Sequence, residues 1–406
     1  MGILVQKFGG TSLSTPVARE HVIRHVKREL ASGFSLVVVV SAMGRKGEPY
    51  ATDTLLDLAA QSGNAMPARE RDLLMCCGEI ISAANLCGLL EQEGIRSTVL
   101  TGAQAGFLTD NNYGNARILN VRTERILREL RENKVVIVTG FQGQTEAGDF
   151  TTLGRGGSDT SATALGAALR ADMVDIYTDV DGILTADPRI VEDARQLAYV
   201  SYTEICNMAY QGAKVIHPRA VEIAMQAQIP VRVRSTFSEA EGTLVTHPEG
   251  FNDIAGGVVD RLVTGVAYVS NITQISVECP DGNGTGVQLQ IFKSMADNGI
   301  SVDFINVTPT EAVYTVFDDK SEQAIAALQE LGLRPKSLSG CAKVSVIGGG
   351  INGVPGIMAH IVEALSSQNI QILQSADSNT TIWVLVKKED MVQSVRALHG
   401  KFELHR

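Results

Sequence analysis

Between residues 1 and about 235 the sequence alternates short apolar runs (3–6, 36–40, 97–100, 135–139, 173–178 and 231–234) with helix-length segments. Strands recurring at that interval are joined by crossovers rather than hairpins, which builds a largely parallel sheet covered by helices on both faces. Glycine clusters fall at the strand-to-helix turns, beyond the carboxyl ends of the strands, where open α/β sheets hold their ligands. Residues 237–257 are polar and weakly periodic and read as a connector. Beyond it the chain repeats itself: residues 292–304 resemble residues 362–374, and an alternating strand follows each (313–316 and 382–386). Two copies are too few for a solenoid and suit a pair of small α+β units.

Composition narrows the function classes. The 406 residues carry 35 basic and 45 acidic side chains, a formal charge of −10, with 44% hydrophobic and 20% charged residues. That supports a large folded core and gives no basic field for nucleic acid or an anionic membrane surface. A phosphate-bearing partner must therefore be met by a few placed cations. The longest apolar stretch, residues 34–43, is well short of the roughly 20 residues that span a bilayer, so no membrane segment is expected. The N-terminus lacks a signal-peptide apolar region, and a cytoplasmic protein is expected. Six cysteines without C-x-x-C spacing indicate neither a zinc site nor a disulfide framework.

Four glycine-rich segments are candidates for chemistry. Lys7-Phe8-Gly9-Gly10-Thr11-Ser12 follows the first strand and precedes Thr15-Pro16, a helix-start signature. Paired glycines let the backbone approach an anion, and Lys7 supplies a point charge; taken alone, the segment reads equally as an ordinary glycine turn. The G-x-x-x-x-G-K-[ST] spacing is absent, which disfavours a P-loop enzyme. Gly154-Arg155-Gly156-Gly157-Ser158-Asp159 leads into a small-residue helix over 162–169, with Ser158 or Asp159 expected as its cap and Arg155 as a bidentate carboxylate partner. Residues 177–189, including Tyr177-Thr178-Asp179-Val180-Asp181-Gly182 and Asp187-Pro188-Arg189, offer carboxylates and one cation for a nucleotide with Mg²⁺, or simply form a polar turn. Gly348-Gly349-Gly350-Ile351-Asn352-Gly353 matches G-x-G-x-x-G, yet only 53 residues follow, too few for a dinucleotide domain; a turn that packs or binds a small ligand is expected.

Taken in order, residues 7–12, 40–44, 77–79, 154–159, 178–189 and 214–218 resemble the successive signatures of the aspartokinases, and the run 41–53 is similar to the monofunctional Gram-positive type. The resemblance covers essentially the whole chain. It implies an α/β amino-acid-kinase fold at 1–240, a linker at 241–262, and two α+β ferredoxin-like ACT domains at 263–336 and 340–406. It also implies transfer of phosphate from Mg-ATP to the side-chain carboxylate of L-aspartate, giving 4-phospho-L-aspartate and ADP, at the head of the lysine, threonine, methionine and diaminopimelate pathways. Carried over by position, the family pattern gives catalytic roles to Lys7, Lys214, Arg155 and Glu79. It puts aspartate on Ser41, Thr52, Glu79, Arg155 and Ser158. ATP falls to Lys7, Phe8, Gly9, Gly10, Tyr177, Thr178, Asp179, Ile183, Asp187, Arg189, Ala213 and Lys214. No metal ligand from the protein is implied, Mg²⁺ being carried by ATP.

The ACT copies are expected to bind a feedback amino acid (lysine, threonine or meso-diaminopimelate) through Asp303, Asn306, Gln374 and Ser375. Residues 280–286 lack the Pro-Gly that Val354-Pro355-Gly356 retains, which puts effector binding at the first copy's own turn in doubt. No methionine lies between Met225 and Met295 to start a separate regulatory subunit, so a homo-oligomer joined through ACT domains is expected. Two other readings fit parts of the pattern: another amino-acid kinase, acting on glutamate, acetylglutamate or UMP, which would lack the ACT pair, or an amino-acid sensor with a degenerate kinase half, which would have lost Lys7, Glu79 or Arg155.

Overall fold

The computed structural model describes residues 2–61, 63–213, 215–247, 262–279 and 284–406. Lys214, residues 248–257 of the expected connector and the 280–283 turn lie outside the described residues. The chain divides into two units, Met1–Ile183 with Gln196–Tyr210 and Lys214–Val259, and Leu184–Arg195 with Gln211–Ala213 and Asp260–Arg406.

In the first unit the elements run β1 (Ile3–Phe8), α1 (Gly10–Leu13), α2 (Pro16–Ala31), β2 (Ser35–Val40), α3 (Thr52–Ala60), α4 (Ala68–Gln92), β3 (Ser97–Leu100), β4 (Phe107–Thr109), β5 (Ile118–Val121), α5 (Glu124–Arg131), β6 (Val135–Thr139), β7 (Gln142–Gln144), β8 (Phe150–Thr152), α6 (Gly157–Leu169), β9 (Met173–Thr178), β10 (Tyr199–Ser201), α7 (Tyr202–Tyr210), α8 (Pro218–Ala227), β11 (Val231–Ser235) and β12 (Thr243–Thr246). The eight-stranded sheet has the order β10-β12-β11-β9-β1-β2-β6-β3, parallel except where β12 runs against β11. The runs of valine in β2 and β6 suit strands buried on both faces. Asp175 in the middle of β9 is fully buried, and directly opposite it on β11 Arg232 forms two hydrogen bonds of 2.8 and 2.9 Å. Helix α2 starts as its sequence predicts, with Thr15 accepting the Ala18 N–H at 3.1 Å and Pro16 in the first turn.

Two expectations change here, and one helix needs a closer look. The region read as a connector contains β12, a full member of the sheet. Helix α6 begins at Gly157 rather than 162, and neither Ser158 nor Asp159 caps it; Gly156, at φ +67°, turns the chain into the helix instead. Helix α4 is 25 residues long and, by length and composition alone, apolar enough to cross a bilayer. Its Ala83, Leu86 and Leu90 are nevertheless fully buried in the core beside β1, β2 and β6, and it carries the buried carboxylates of Asp72 and Glu79.

The second unit adds β13 (Gly265–Glu278), α9 (Gly284–Asp297), β14 (Asp303–Val307), β15 (Glu311–Phe317), α10 (Asp318–Glu330), β16 (Lys336–Ile347), α11 (Ile357–Ser366), β17 (Gln374–Asp377), β18 (Thr381–Lys387) and α12 (Met391–Lys401). Its six-stranded antiparallel sheet, β14-β15-β13-β16-β18-β17, is shared by both repeat copies. The cores do not divide at residue 336. Ile275, Ile291, Tyr314 and Leu328 pack in the first copy, whereas Val266 at the start of β13 and Val263 just before it pack with Val344, Ile361, Val384 and Leu398 in the second. Ala186, Ile190 and Val191 join that second core, so residues 184–195 leave the expected 1–240 domain because their apolar side chains are buried elsewhere.

Candidate active site

The strand order turns around β1: β2, β6 and β3 lie on one side, and β9, β11, β12 and β10 on the other. Such a reversal leaves a crevice beyond the strands' carboxyl ends. Lys7 stands at the end of β1, and Ser41, just past β2, donates its backbone N–H to the Phe8 carbonyl at 3.1 Å. A cavity of about 470 Å³ opens here, lined by Lys7, Ser41, Thr52, Glu79, Arg155 and Ser158 among others. All five residues expected to hold aspartate therefore meet in one cavity with Lys7.

Each is brought there by a different element. Thr52 opens α3, and Arg155 and Ser158 flank the uncapped start of α6, whose free N–H groups and dipole favour a negative group. Gly156 permits that start: a Cβ there would lie 2.1 Å from the His217 ring. Arg71, Met75 and Glu79 recur every four residues on α4 and so share the face lining the cavity. Gly10 serves packing, since a Cβ on it would sit 2.7 Å from the carbonyl oxygens of both Ala42 and Gly44.

The charges are arranged unevenly. Lys7 Nζ is 2.7 Å from Asp159 Oδ1, a pair largely shielded from solvent. Glu79 is 1% exposed; its Oε1 accepts the Ala42 N–H at 3.2 Å, while Oε2 has no hydrogen-bond partner. Burial pushes the Glu79 carboxyl up to about 8, against the opposing pull of the Ala42 N–H. Among the described residues, neither Arg71 nor Arg155 has a carboxylate ion-pair partner. The site thus presents two unengaged guanidiniums, a lysine, an uncapped helix start and one buried carboxyl with a bare oxygen, which complements a small molecule with carboxylates and an ammonium.

Sequence reasoning missed several members. Asp53, Leu56, Arg71, Met75, Gly114 and Phe141 also line the cavity. Arg71 and Met75 were discoverable as a four-residue spacing ending in Glu79. Phe141 was not: it adopts φ +71°, a strained conformation for an aromatic residue, and is held through its N–H on Ser161 Oγ at 3.0 Å.

The residues expected at the nucleotide are more scattered. The side chains of Phe8, Tyr177 and Ile183 are in the core, 0, 0 and 1% exposed, with Phe8 stacked on Tyr177 at 4.5 Å, so these positions offer a nucleotide only backbone. Thr178 Oγ1 donates to Asp179 Oδ1 at 3.2 Å, and Asp179 is paired with Arg45 at 2.6 Å. Asp187, Arg189 and Ala213 belong to the second unit. There Arg189 binds Asp187 through several hydrogen bonds, the shortest 2.6 Å, and the Tyr268 hydroxyl donates to Asp187 at 3.1 Å; Arg189 holds the Asp187 carboxyl below the usual range.

Of the expected effector residues, Asp303 is paired with the buried Lys343, and Gln374 takes a hydrogen bond from Gln274 Nε2 and donates one to the Phe304 carbonyl, each 2.7 Å. Asn306 and Ser375 are exposed. In the Gly348–Gly353 turn, Ile351, Asn352 and Gly353 line a cavity of about 440 Å³ with Ser375 and Asp377.

The amino acid kinase family model matches residues 2–235, and an ACT domain model matches residues 336–400. Aspartokinase 1 of Bacillus subtilis (strain 168) is 54% identical over 404 residues, spanning 100% of both chains. The aspartokinase of Geobacillus stearothermophilus is 42% identical over 414 residues, covering 100% of this chain and 98% of that one. The crystal structure of E. coli aspartokinase III in complex with aspartate and ADP superposes with a TM-score of 0.80 at 26% identity, over 98% of this chain and 99% of that one. A full-length likeness at this identity, together with a kinase fold followed by a C-terminal ACT domain, leaves one assignment: the chain belongs to the aspartokinase family.

Proposed function

We propose that this enzyme transfers the γ-phosphoryl group of ATP to the side-chain carboxylate of L-aspartate, and that an end-product amino acid regulates it through the ACT pair. The observation that carries the reading is the cavity itself, where Lys7, Ser41, Thr52, Glu79, Arg155 and Ser158 converge. Arg155 grips the α-carboxylate, the bare oxygen of Glu79 takes the α-ammonium, and the hydroxyls of Ser41, Thr52 and Ser158 complete the cradle. The substrate's own side-chain carboxylate, with an ordinary pKa of about 4, is ionised at neutral pH and needs no general base. One of its oxygens forms a bond to the γ-phosphorus as the bond from phosphorus to the ADP oxygen breaks.

The protein's part is positioning and neutralising charge. Lys7, steadied by Asp159, faces the transferring group, and the family pattern assigns Gly9, Gly10 and Lys214 to the phosphates as well. Thr178, Asp179, Asp187, Arg189 and Ala213 are the positions for the nucleotide, with Mg²⁺ entering on ATP and no protein ligand for it. Asp303 and Gln374 are already engaged by Lys343 and Gln274, so a feedback amino acid at these residues displaces an internal partner. Association of copies through the ACT units and a cytoplasmic location complete the reading.

A coupled ADP-release assay tests it. ADP release in the presence of Mg·ATP should depend on L-aspartate and fall on adding lysine, threonine or meso-diaminopimelate. Turnover with glutamate, acetylglutamate or UMP instead of aspartate would support a different amino-acid kinase, and no turnover at all a sensor.

A further inference from the structure

Away from the cavity, the second unit gathers Asp193, His399 and His405 so that one potential ligand atom from each lies within 4.8 Å of the others. We infer that these three side chains form a site for a divalent d-block cation of the Zn²⁺ class, which ties the segment 184–195 to the end of α12.

The three positions are held by backbone, not by chance proximity. At the end of α12 the chain turns back through Glu403 at φ +52°, the Leu404 N–H bonds to the His399 carbonyl at 3.1 Å, and Leu404 is buried in the core. That turn lays His405 beside His399, with ring centroids 6.4 Å apart. Asp193 sits on a closed loop: at its base the Thr185 N–H donates to the Arg195 carbonyl at 2.9 Å and the Arg195 N–H to Thr185 Oγ1, and Arg396 of α12 holds the Ile190 carbonyl at 2.8 Å.

His399 supplies the fixed ligand. It is 1% exposed, and its Nε2 lies 2.9 Å from Thr185 Oγ1, which also accepts the Arg195 N–H at 3.0 Å. With Nε2–H donated to that oxygen, the lone pair resides on Nδ1, the nitrogen that faces Asp193 Oδ1 at 4.0 Å. A ligating histidine whose other ring nitrogen is anchored by an oxygen is the arrangement that fixes tautomer and ring orientation at metal sites. Asp193 and His405 are exposed and free to close the remaining gap, since bonds of about 2.0–2.1 Å to zinc require ligand atoms about 3.3–3.4 Å apart. Two imidazoles and one carboxylate favour Zn²⁺ or Co²⁺ over Mg²⁺ or Ca²⁺ and leave a fourth position for water.

The test is titration of the full chain with Co²⁺, in excess Mg²⁺ and without nucleotide, following visible d–d absorption. One ion per chain with a tetrahedral spectrum is expected, displaced by Zn²⁺. His405→Ala and Asp193→Asn, both at exposed positions, should abolish that spectrum while circular dichroism stays unchanged, and His360→Ala, an exposed histidine outside the cluster, should keep it. Thr185→Val retains all three ligands but loses the anchor for Nε2, and should weaken binding about 10–100-fold. Absence of stoichiometric Co²⁺ binding, or a spectrum and affinity that survive both His405→Ala and Asp193→Asn, would overturn the site; unchanged affinity in Thr185→Val would overturn the orienting role of Thr185.

Discussion

Glu79 shows how one buried group makes binding depend on pH. Its ordinary value is 4.5, and burial raises it to about 8, so at neutral pH the free enzyme holds a proton on this carboxyl. A raised acid binds more protons folded than unfolded, so this group's contribution to stability falls as pH rises from about 4.5 to about 8. An ammonium placed on its bare oxygen favours the charged form and expels the proton. Calorimetry of aspartate binding near pH 7, in buffers of different ionisation enthalpy, should therefore show release of close to one proton, fading above pH 9. In Glu79→Gln the buffer dependence should vanish; a wild-type enthalpy independent of buffer would show that Glu79 does not meet the ammonium.

At the scale of elements, Asp72 ties α4 to β8, a member of the four-stranded sheet β5-β4-β7-β8, and to Gly114 in the cavity wall. Its Oδ2 accepts the N–H of Gly114 at 2.9 Å and of Thr152 at 2.7 Å. Asp72→Ala leaves the buried Thr152 N–H without a partner, at about 1–3 kcal/mol, and frees the half-buried Gly114 N–H, so a clear drop in stability by urea denaturation is expected. A change under 0.5 kcal/mol, the size of an ordinary surface substitution, would mean that water replaces the carboxylate.

The same sheet marks where sequence reading runs out. The strands of the central sheet are legible because Val135–Thr139 and Ser35–Val40 are apolar throughout, as burial on two faces demands. Strands such as Gln142–Gln144 and Phe150–Thr152 are three residues long and partly polar; they pair with each other across a short turn, and no apolar run marks them in the sequence. The start of α6 was missed for a related reason: a glycine in the left-handed conformation replaces the side-chain cap that sequence rules look for. The residues expected to hold aspartate were legible through their motifs and Arg71 through its spacing to Glu79, whereas Phe141 carries no motif and joins the cavity wall only once β6, α4 and α6 are packed together.

For the whole molecule, the order of elements and the order of domains do not coincide. Residues 184–195 interrupt the kinase unit in sequence, yet Ile190 and Val191 are buried in the core of the second ACT copy. That segment carries Asp187 and Arg189, expected at the nucleotide, and Asp193 of the inferred cation site. The start of β13 serves the second copy and its end the first, so the two repeats share strands and are not separable at a single boundary.

The proposed reaction has a carboxylate of aspartate, and not another group, receive the phosphate in the cavity at the end of β1. An acyl phosphate reacts with hydroxylamine, so the direct measurement is trapping of the product as aspartate β-hydroxamate alongside ADP. Equal amounts of hydroxamate and ADP are predicted for the native enzyme. Lys7→Ala, which removes a preorganised charge-stabilising donor, should lower both rates by about a hundredfold or more while leaving the circular dichroism unchanged. Aspartate-dependent ADP release without hydroxamate, or near-normal turnover in Lys7→Ala, would contradict the account.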